Sequence, residues 1–233
     1  MINFKKYERI ARFMELKSVK SGMPKELYEI LEKEIESLRP AQEKAVKKGL
    51  LHGKNLLVCT PTASGKTLIA EIAAFKSIIE GKGKAVYIVP LKALAYEKYR
   101  DFRKRYGKIA KIALSIGDID SADNYLAEYD LIVTTSEKLD SLIRHSSPWV
   151  SGIATIIIDE IHLLNDHGRG PTLEILITIL KKLLKNVQII ALSATIGNAE
   201  ELAEWLQADL VVDEWRPVTL HKGIYLDGEV EFY

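Results

Sequence analysis

A single cysteine, Cys59, occurs in 233 residues. That excludes a disulfide scaffold and a thiolate zinc cluster. Proline and glycine are sparse, with 7 and 14 residues, which excludes collagen-like and low-complexity chains. No aliphatic run approaches the roughly 20 residues that a membrane span requires, so no membrane association is expected. The opening stretch Met-Ile-Asn-Phe-Lys-Lys-Tyr-Glu-Arg lacks the apolar centre of a signal peptide, and the cytoplasm is the expected compartment. No internal repeat is visible. Net charge is also nearly absent, because 33 basic residues face 32 acidic ones. With 47% hydrophobic and 28% charged residues, the chain is too apolar for disorder.

The charge is unevenly spread. Between Lys76 and Lys111 eleven basic residues oppose three acidic ones, a net +8, and Ile112 to Arg144 carries a net −5. A basic segment in a neutral chain is either a face for a polyanion or a solvated lysine-rich helix.

Short β-branched runs alternate with longer helical periods. Strands are predicted at 55–59, 85–89, 111–115, 130–134, 154–158 and 187–192. Most read as continuous Val/Ile/Leu, as parallel strands covered on both faces do. Helices are predicted between them at 65–79, 91–106, 136–145 and 173–184. This order predicts an α/β fold, a mostly parallel sheet sandwiched between helices. Outside it, helices are expected at 2–17, 25–37 and 198–207, and edge strands at 210–212 and 224–226. The predicted organisation is a helical extension over 1–37, one main domain over 38–215 and a terminal segment over 216–233.

The sharpest local pattern is Thr60-Pro61-Thr62-Ala63-Ser64-Gly65-Lys66-Thr67. It follows an apolar strand and opens a helix. There, backbone N–H groups of Thr62, Ala63, Ser64 and Gly65 can converge on phosphate oxygens. Lys66 supplies a mobile positive charge, and the Thr67 hydroxyl can coordinate Mg²⁺. Thr60 stands where such loops usually begin with glycine. The expected ligand is a nucleoside triphosphate. Asp159-Glu160-Ile161-His162 ends another predicted strand, at the edge where parallel sheets bind ligands. Asp159 is placed to hold Mg²⁺ through water, and Glu160 to orient and deprotonate an attacking water. A rival reading makes Asp159, Glu160, His162, Asp166 and His167 a transition-metal site, although their spacing is not a zinc-helix motif.

Asp159-Glu160-Ile161-His162 resembles the DExH box of superfamily 2 helicases, and Ser193-Ala194-Thr195 their third motif. Gln42 in Leu38-Arg39-Pro40-Ala41-Gln42 resembles their adenine-reading glutamine. Pro90-Leu91-Lys92-Ala93-Leu94-Ala95 and Thr134-Thr135-Ser136-Glu137-Lys138 resemble the two motifs that hold a single strand by its backbone. The stretches PTASGKTLIAEIA, AVYIVPLKALAYEKY, DEIHLLNDHGRGPTLE and ALSATIGNAEELAEWL closely resemble archaeal Hjm/Hel-type DNA helicases, relatives of the helicase half of polymerase theta. The resemblance spans about 38–223.

That resemblance implies a RecA-like P-loop domain binding ATP and Mg²⁺, with Gln42 on the adenine. It implies that His162, Ser193 and Thr195 couple the nucleotide state to strand grip. Strand contact is expected at Lys92, Thr134 and Thr135, with Gly117 and Asp118 as further candidates, and Arg169 is either a strand-contact or an interdomain residue. The implied activity is 3′-to-5′ unwinding of single-stranded or forked DNA in replication-fork repair and recombination, by a monomer. The family's motor has a second RecA-like domain carrying arginine fingers, and none of its motifs occurs before Tyr233. The chain is therefore expected to bind ATP and single strands but to hydrolyse and unwind poorly. Two other readings stay open: an RNA-directed ATPase of the same superfamily, and a non-catalytic module that binds nucleotide or single strands.

Overall fold

The short aliphatic runs become seven strands of one sheet. A computed structural model of the chain describes residues 13–117, 123–218 and 221–232. The strands are β1 (Leu56–Cys59), β2 (Lys84–Val89), β3 (Ile112–Ser115), β4 (Leu131–Thr135), β5 (Ile153–Ile158), β6 (Gln188–Ser193) and β7 (Asp209–Val212). They lie in the order β3-β4-β2-β5-β6-β1-β7, and every neighbouring pair is parallel. This is the expected α/β, RecA-like arrangement.

Alternate residues of each strand enter opposite cores. Leu56, Val58, Tyr87, Val133 and Leu192 pack with α1 (Lys25–Leu31), α2 (Pro40–Lys47), α3 (Lys66–Ile79) and α4 (Lys92–Tyr106). Leu57, Cys59, Ile88, Ile132 and Ala191 pack with α5 (Ser136–Arg144), α6 (Gly170–Leu183) and α7 (Ala199–Leu206). Both faces of the central strands β1, β2, β4 and β6 are dry, which is why they read as unbroken aliphatic runs, whereas the edge strand β7 is partly exposed.

One polar clamp lies between α3 and α4. Glu71 of α3 accepts from Arg105 Nη1 and from Tyr106 Oη, each at 2.5 Å. The Tyr106 ring stacks on Phe75 with centroids 3.8 Å apart. A buried carboxylate is tolerable only with such partners. Burial still pushes the Glu71 carboxyl above its ordinary range, and Arg105 and Tyr106 oppose that shift.

The flanks differ from expectation. The helix expected over 2–17 lies mostly outside the described residues. Its visible end is a short strand, Met14–Glu15, followed by a 3₁₀ turn over Leu16–Gly22. The helix expected over 25–37 stops at Leu31, and Ser37–Leu38 pairs antiparallel with Met14–Glu15. Pro40 explains part of this, because the residue before a proline is driven out of the helical region; Arg39 sits at φ −69°, ψ 161°. Leu16, Leu27 and Leu31 are buried in the same core as α3. At the other end, 224–226 is not an edge strand of the main sheet. Gly223–Leu226 pairs antiparallel with Glu229–Phe232. Asp227 and Gly228 both have positive φ, as a two-residue hairpin turn demands.

Candidate nucleotide and nucleic-acid site

The carboxyl ends of β2, β5, β6 and β1 lie side by side, and the loops leaving them form one rim of the sheet. Thr60 N donates to Ser193 O at 3.2 Å, and Asp159 N to Ile88 O at 2.9 Å. Two backbone hydrogen bonds therefore tie the phosphate loop to the end of β6, and the Asp159–His162 segment to the end of β2.

The phosphate loop is held from inside. Thr60 is fully buried, and its hydroxyl shares a 2.7 Å hydrogen bond with Ser64 Oγ. Thr60 O also accepts from Lys66 Nζ at 3.0 Å. A glycine could form the second of these bonds but not the first, so Thr60 adds an internal staple. Thr62 and Ala63 are exposed, while Gly65, Lys66 and Thr67 are half-buried. Ala63 has φ 63° and Gly65 φ 92°. A non-glycine residue in that region is strained, and such strain concentrates at functional sites. Glu160, at φ 54°, is a second case.

The N-terminus of α2 braces the loop. Gln42 is buried and donates from Nε2 to Gly65 O at 3.0 Å, while its Oε1 accepts Arg39 N at 2.8 Å. Each end of the amide keeps one bonding position. Arg39 Nη1 donates to Ala63 O at 2.7 Å, and the Arg39 guanidinium lies 5.5 Å from the Trp215 ring centroid. The sequence reading picked out Gln42 and missed Arg39. The only available signal was its place immediately before Pro40.

Asp159 is oriented on both oxygens. Buried Tyr87 donates to Oδ2 at 2.9 Å, and Glu160 N donates to Oδ1 at 3.1 Å. Burial pushes the Tyr87 phenol well up, with the Asp159 charge adding to the effect, so Tyr87 stays a donor. His162 Nδ1 lies 3.3 Å from Glu160 Oε2. Ser193 is buried beside the Cys59 thiol, and Thr195 is exposed.

The donor chemistry separates the two metal readings. No group of three or more His, Cys, Asp and Glu able to hold a metal exists among the described residues. The transition-metal reading of Asp159, Glu160, His162, Asp166 and His167 therefore fails. Asp166 spends one oxygen on the backbone N–H groups of Gly168 and Arg169. A sparse set of Thr67 hydroxyl and Asp159 carboxylate suits Mg²⁺, which keeps waters and takes phosphate oxygens as ligands.

A second opening lies beside this rim. Pro90, Leu91, Lys92, Ala93, Gly117, Thr135, Glu137, Lys138 and Arg169 line an open groove of about 520 Å³. Lys92 and Arg169 are exposed within it. Thr135 caps α5 by accepting from Lys138 N at 3.4 Å. Thr134 is fully buried and offers the groove no surface. Asp118 lies outside the described residues. Pro90 and Arg169 also line a recess of about 10 Å³ beside Asp159 and Glu160, so the groove abuts those two carboxylates.

A family model for DEAD/DEAH box helicases matches residues 39–202. The chain belongs to the DEAD/DEAH box helicase family. It is 53% identical over 210 residues to the ATP-dependent DNA helicase Hel308 of Pyrococcus abyssi, a match covering 90% of this chain and 29% of that protein. It is 55% identical over 205 residues to Hel308 of Methanocaldococcus jannaschii, covering 85% and 17%. The crystal structure of the DUF1998 helicase MrfA bound to DNA matches with TM-score 0.72 and 26% identity over 83% of this chain and 30% of that one. The chain thus spans under a third of the length of these relatives. The resemblance to archaeal DNA helicases is borne out. DEAD/DEAH box helicases use ATP. No helix among the described residues is long and apolar enough to cross a membrane.

Proposed function

We propose that this chain is the ATP-binding motor lobe of a DNA helicase that moves 3′-to-5′ along single strands and acts on forked DNA in replication-fork repair and recombination. The observation that carries the reading is the shared wall of Pro90 and Arg169. A groove with two exposed cations thus lies against the small recess beside Asp159 and Glu160. DNA as the strand follows from the names of the Hel308 relatives and from the DNA-bound helicase of similar fold. Direction and fork preference follow from the motif resemblance.

In this reading Lys66 leaves Thr60 O for the β- and γ-phosphates. Thr62, Ala63, Ser64 and Gly65 offer backbone N–H groups, and Gln42 uses its remaining bonding positions on the adenine. Thr67 and Asp159 hold Mg²⁺, which neutralises charge on the phosphates when bound. Glu160 orients the attacking water and accepts its proton at the carboxylate. Ser193, buried at the end of β6, can change hydrogen-bond partners cheaply; with His162 and Thr195 it relays the phosphate state. Lys92 and the capped N-terminus of α5 at Thr135 grip strand phosphates, which carries no sequence information. Thr134 supports Thr135 from beneath.

The rim is open to solvent at Thr62, Ala63 and Thr195. Charge stabilisation in phosphoryl transfer depends on a closed, water-excluded site and an arginine finger, and a missing finger costs about 10³–10⁵ in rate. The chain by itself should bind ATP and turn it over slowly until a second motor lobe closes on it. The test is ATP turnover at low salt, alone and with single-stranded DNA or RNA, with Lys66→Ala as control. Measurable ATP binding with slow, DNA-responsive turnover, both lost in Lys66→Ala, is expected. Fast turnover by the chain alone would overturn the half-motor reading, and stimulation by RNA but not DNA would overturn the choice of strand.

A further inference from the structure

We propose that Lys98 acts as a resident cation on the Thr67 hydroxyl, competing with Mg²⁺ and so setting how much Mg²⁺ the nucleotide site requires. The inference rests on the ATP site proposed above.

Lys98 Nζ donates to Thr67 Oγ1 at 3.3 Å. Thr67 is the second residue of α3, and Lys98 lies in the second turn of α4. Both side chains are half-buried. The reach between the two helices is fixed rather than incidental. One turn beyond Thr67, Glu71 is bound to Arg105 and Tyr106 at the far end of α4, and the Phe75–Tyr106 stack locks the same pair of helices. The Lys98 charge acts on the Glu71 carboxylate as well, so the ammonium sits near both groups. Glu71 takes both of those donors on Oε2, and Lys98 donates to the Thr67 hydroxyl.

The Thr67 hydroxyl has two acceptor positions, but two cations drawn to one oxygen repel each other. Mg²⁺ would take the Thr67 hydroxyl oxygen as one of its few protein ligands. An ammonium donating to the same oxygen would lie a few ångströms from a divalent ion, in a half-buried setting where repulsion is poorly screened. A hydroxyl has few acceptor positions, and Lys98 fills one. Lys98 therefore holds Thr67 oriented when no metal is bound, and Mg²⁺ must turn it away to bind.

The test is Mg²⁺ titration of fluorescent ADP-analogue binding to the full chain. In Lys98→Met the half-saturating Mg²⁺ concentration should fall about fivefold or more. Lys98→Arg, which keeps a donor and a charge, should stay near wild type. In a Thr67→Ala background, removing Lys98 should no longer shift the midpoint, because the contested oxygen is gone. Lys98→Gln gives the same comparison should Lys98→Met not fold. An unchanged or higher midpoint in Lys98→Met or Lys98→Gln overturns the proposal while leaving the ATP site standing. A shift that persists in Thr67→Ala also overturns it, as a general effect of charge. Failure of the wild-type chain to bind the analogue at any Mg²⁺ concentration overturns the ATP-site reading, and this proposal with it.

Discussion

Gln42 and Gly65 are locked together at the mouth of the phosphate loop: the glutamine Nε2 donates to the glycine carbonyl at 3.0 Å. The contact is tight enough that a Cβ added at Gly65 would lie 2.5 Å from Gln42 Nε2 and 3.2 Å from Arg39 Nη1. Gly65 also has φ +92°, where an L side chain is strained. Gly65→Ala should therefore displace the Gln42 and Arg39 brace. Nucleotide affinity should fall at least tenfold, while the melting temperature drops by only a few degrees, since a local strain of about 1–2 kcal/mol is a modest global loss. Gln42→Ala removes the brace without the clash and should weaken binding less than Gly65→Ala does. Calorimetric titration and thermal melting would check both; equal nucleotide affinity in Gly65→Ala and wild type would refute the brace.

Cys59 ends β1 directly before the loop, and burial pushes its thiol up to about 11. At pH 8 only about one thiol in a thousand would then be ionised, and the thiolate is the reactive form. The native chain should resist a thiol-reactive dye at pH 8 over an hour. In denaturant it should take up one equivalent, matching its single cysteine. Rapid labelling of the native chain would mean that β1 opens locally or that the site is more polar than its packing indicates.

Much of this layout is legible in the sequence, for physical reasons that differ by element. The strands of the main sheet show because both their faces are buried, so every position favours Val, Ile or Leu. Boundaries agree within one or two residues at 55–59, 85–89 and 154–158. The loop from Thr60 to Thr67 shows because glycine, lysine and hydroxyls cluster where an aliphatic strand gives way to a helix. The contacts that hold α3 against α4 do not show. Glu71 and Tyr106 are 35 residues apart, Thr67 and Lys98 are 31 apart, and no periodicity relates them. Within the basic segment from Lys76 to Lys111, the sequence could not tell which cations serve structure. Lys98 and Arg105 turn inward to Thr67 and Glu71, Lys76 is paired with Glu80, and Lys92 faces the groove. The hairpin at 223–232 carried a readable signal, Asp227-Gly228, that an edge-strand reading passed over.

Glu71 gives the α3–α4 clamp a pH dependence with a definite sign. Burial, the largest cause, raises its carboxyl above the ordinary value of 4.5. The folded chain therefore binds this proton more tightly than the unfolded chain does. The group's stabilising contribution is fully present below about 4.5 and is lost as pH rises through the folded-state value. Glu71→Gln keeps the shape and cannot titrate. The melting temperature of wild type relative to Glu71→Gln should fall as pH rises from 4.5. A difference that grows with pH would show that Arg105 and Tyr106 outweigh burial.

The groove assigns unequal weights to cations that look equivalent in the sequence. Lys92 opens α4 and lines the groove together with Arg169 of the loop before α6. Arg100, on the same helix as Lys92, is 78% exposed and lies within 3.9 Å of Asp101. A phosphate contact releases condensed counterions, so losing one reduces the slope of log affinity against log salt by roughly 0.7 for a single strand. Lys92→Ala and Arg169→Ala should each weaken single-strand binding across all sequences and reduce that slope by about this amount. Arg100→Ala should leave both affinity and slope near wild type. Fluorescence anisotropy with labelled single-stranded DNA at several salt concentrations separates the cases. If Arg100→Ala costs as much as Lys92→Ala, the strand is held by the diffuse basic face of α4, and the groove beside Asp159 and Glu160 is not its track.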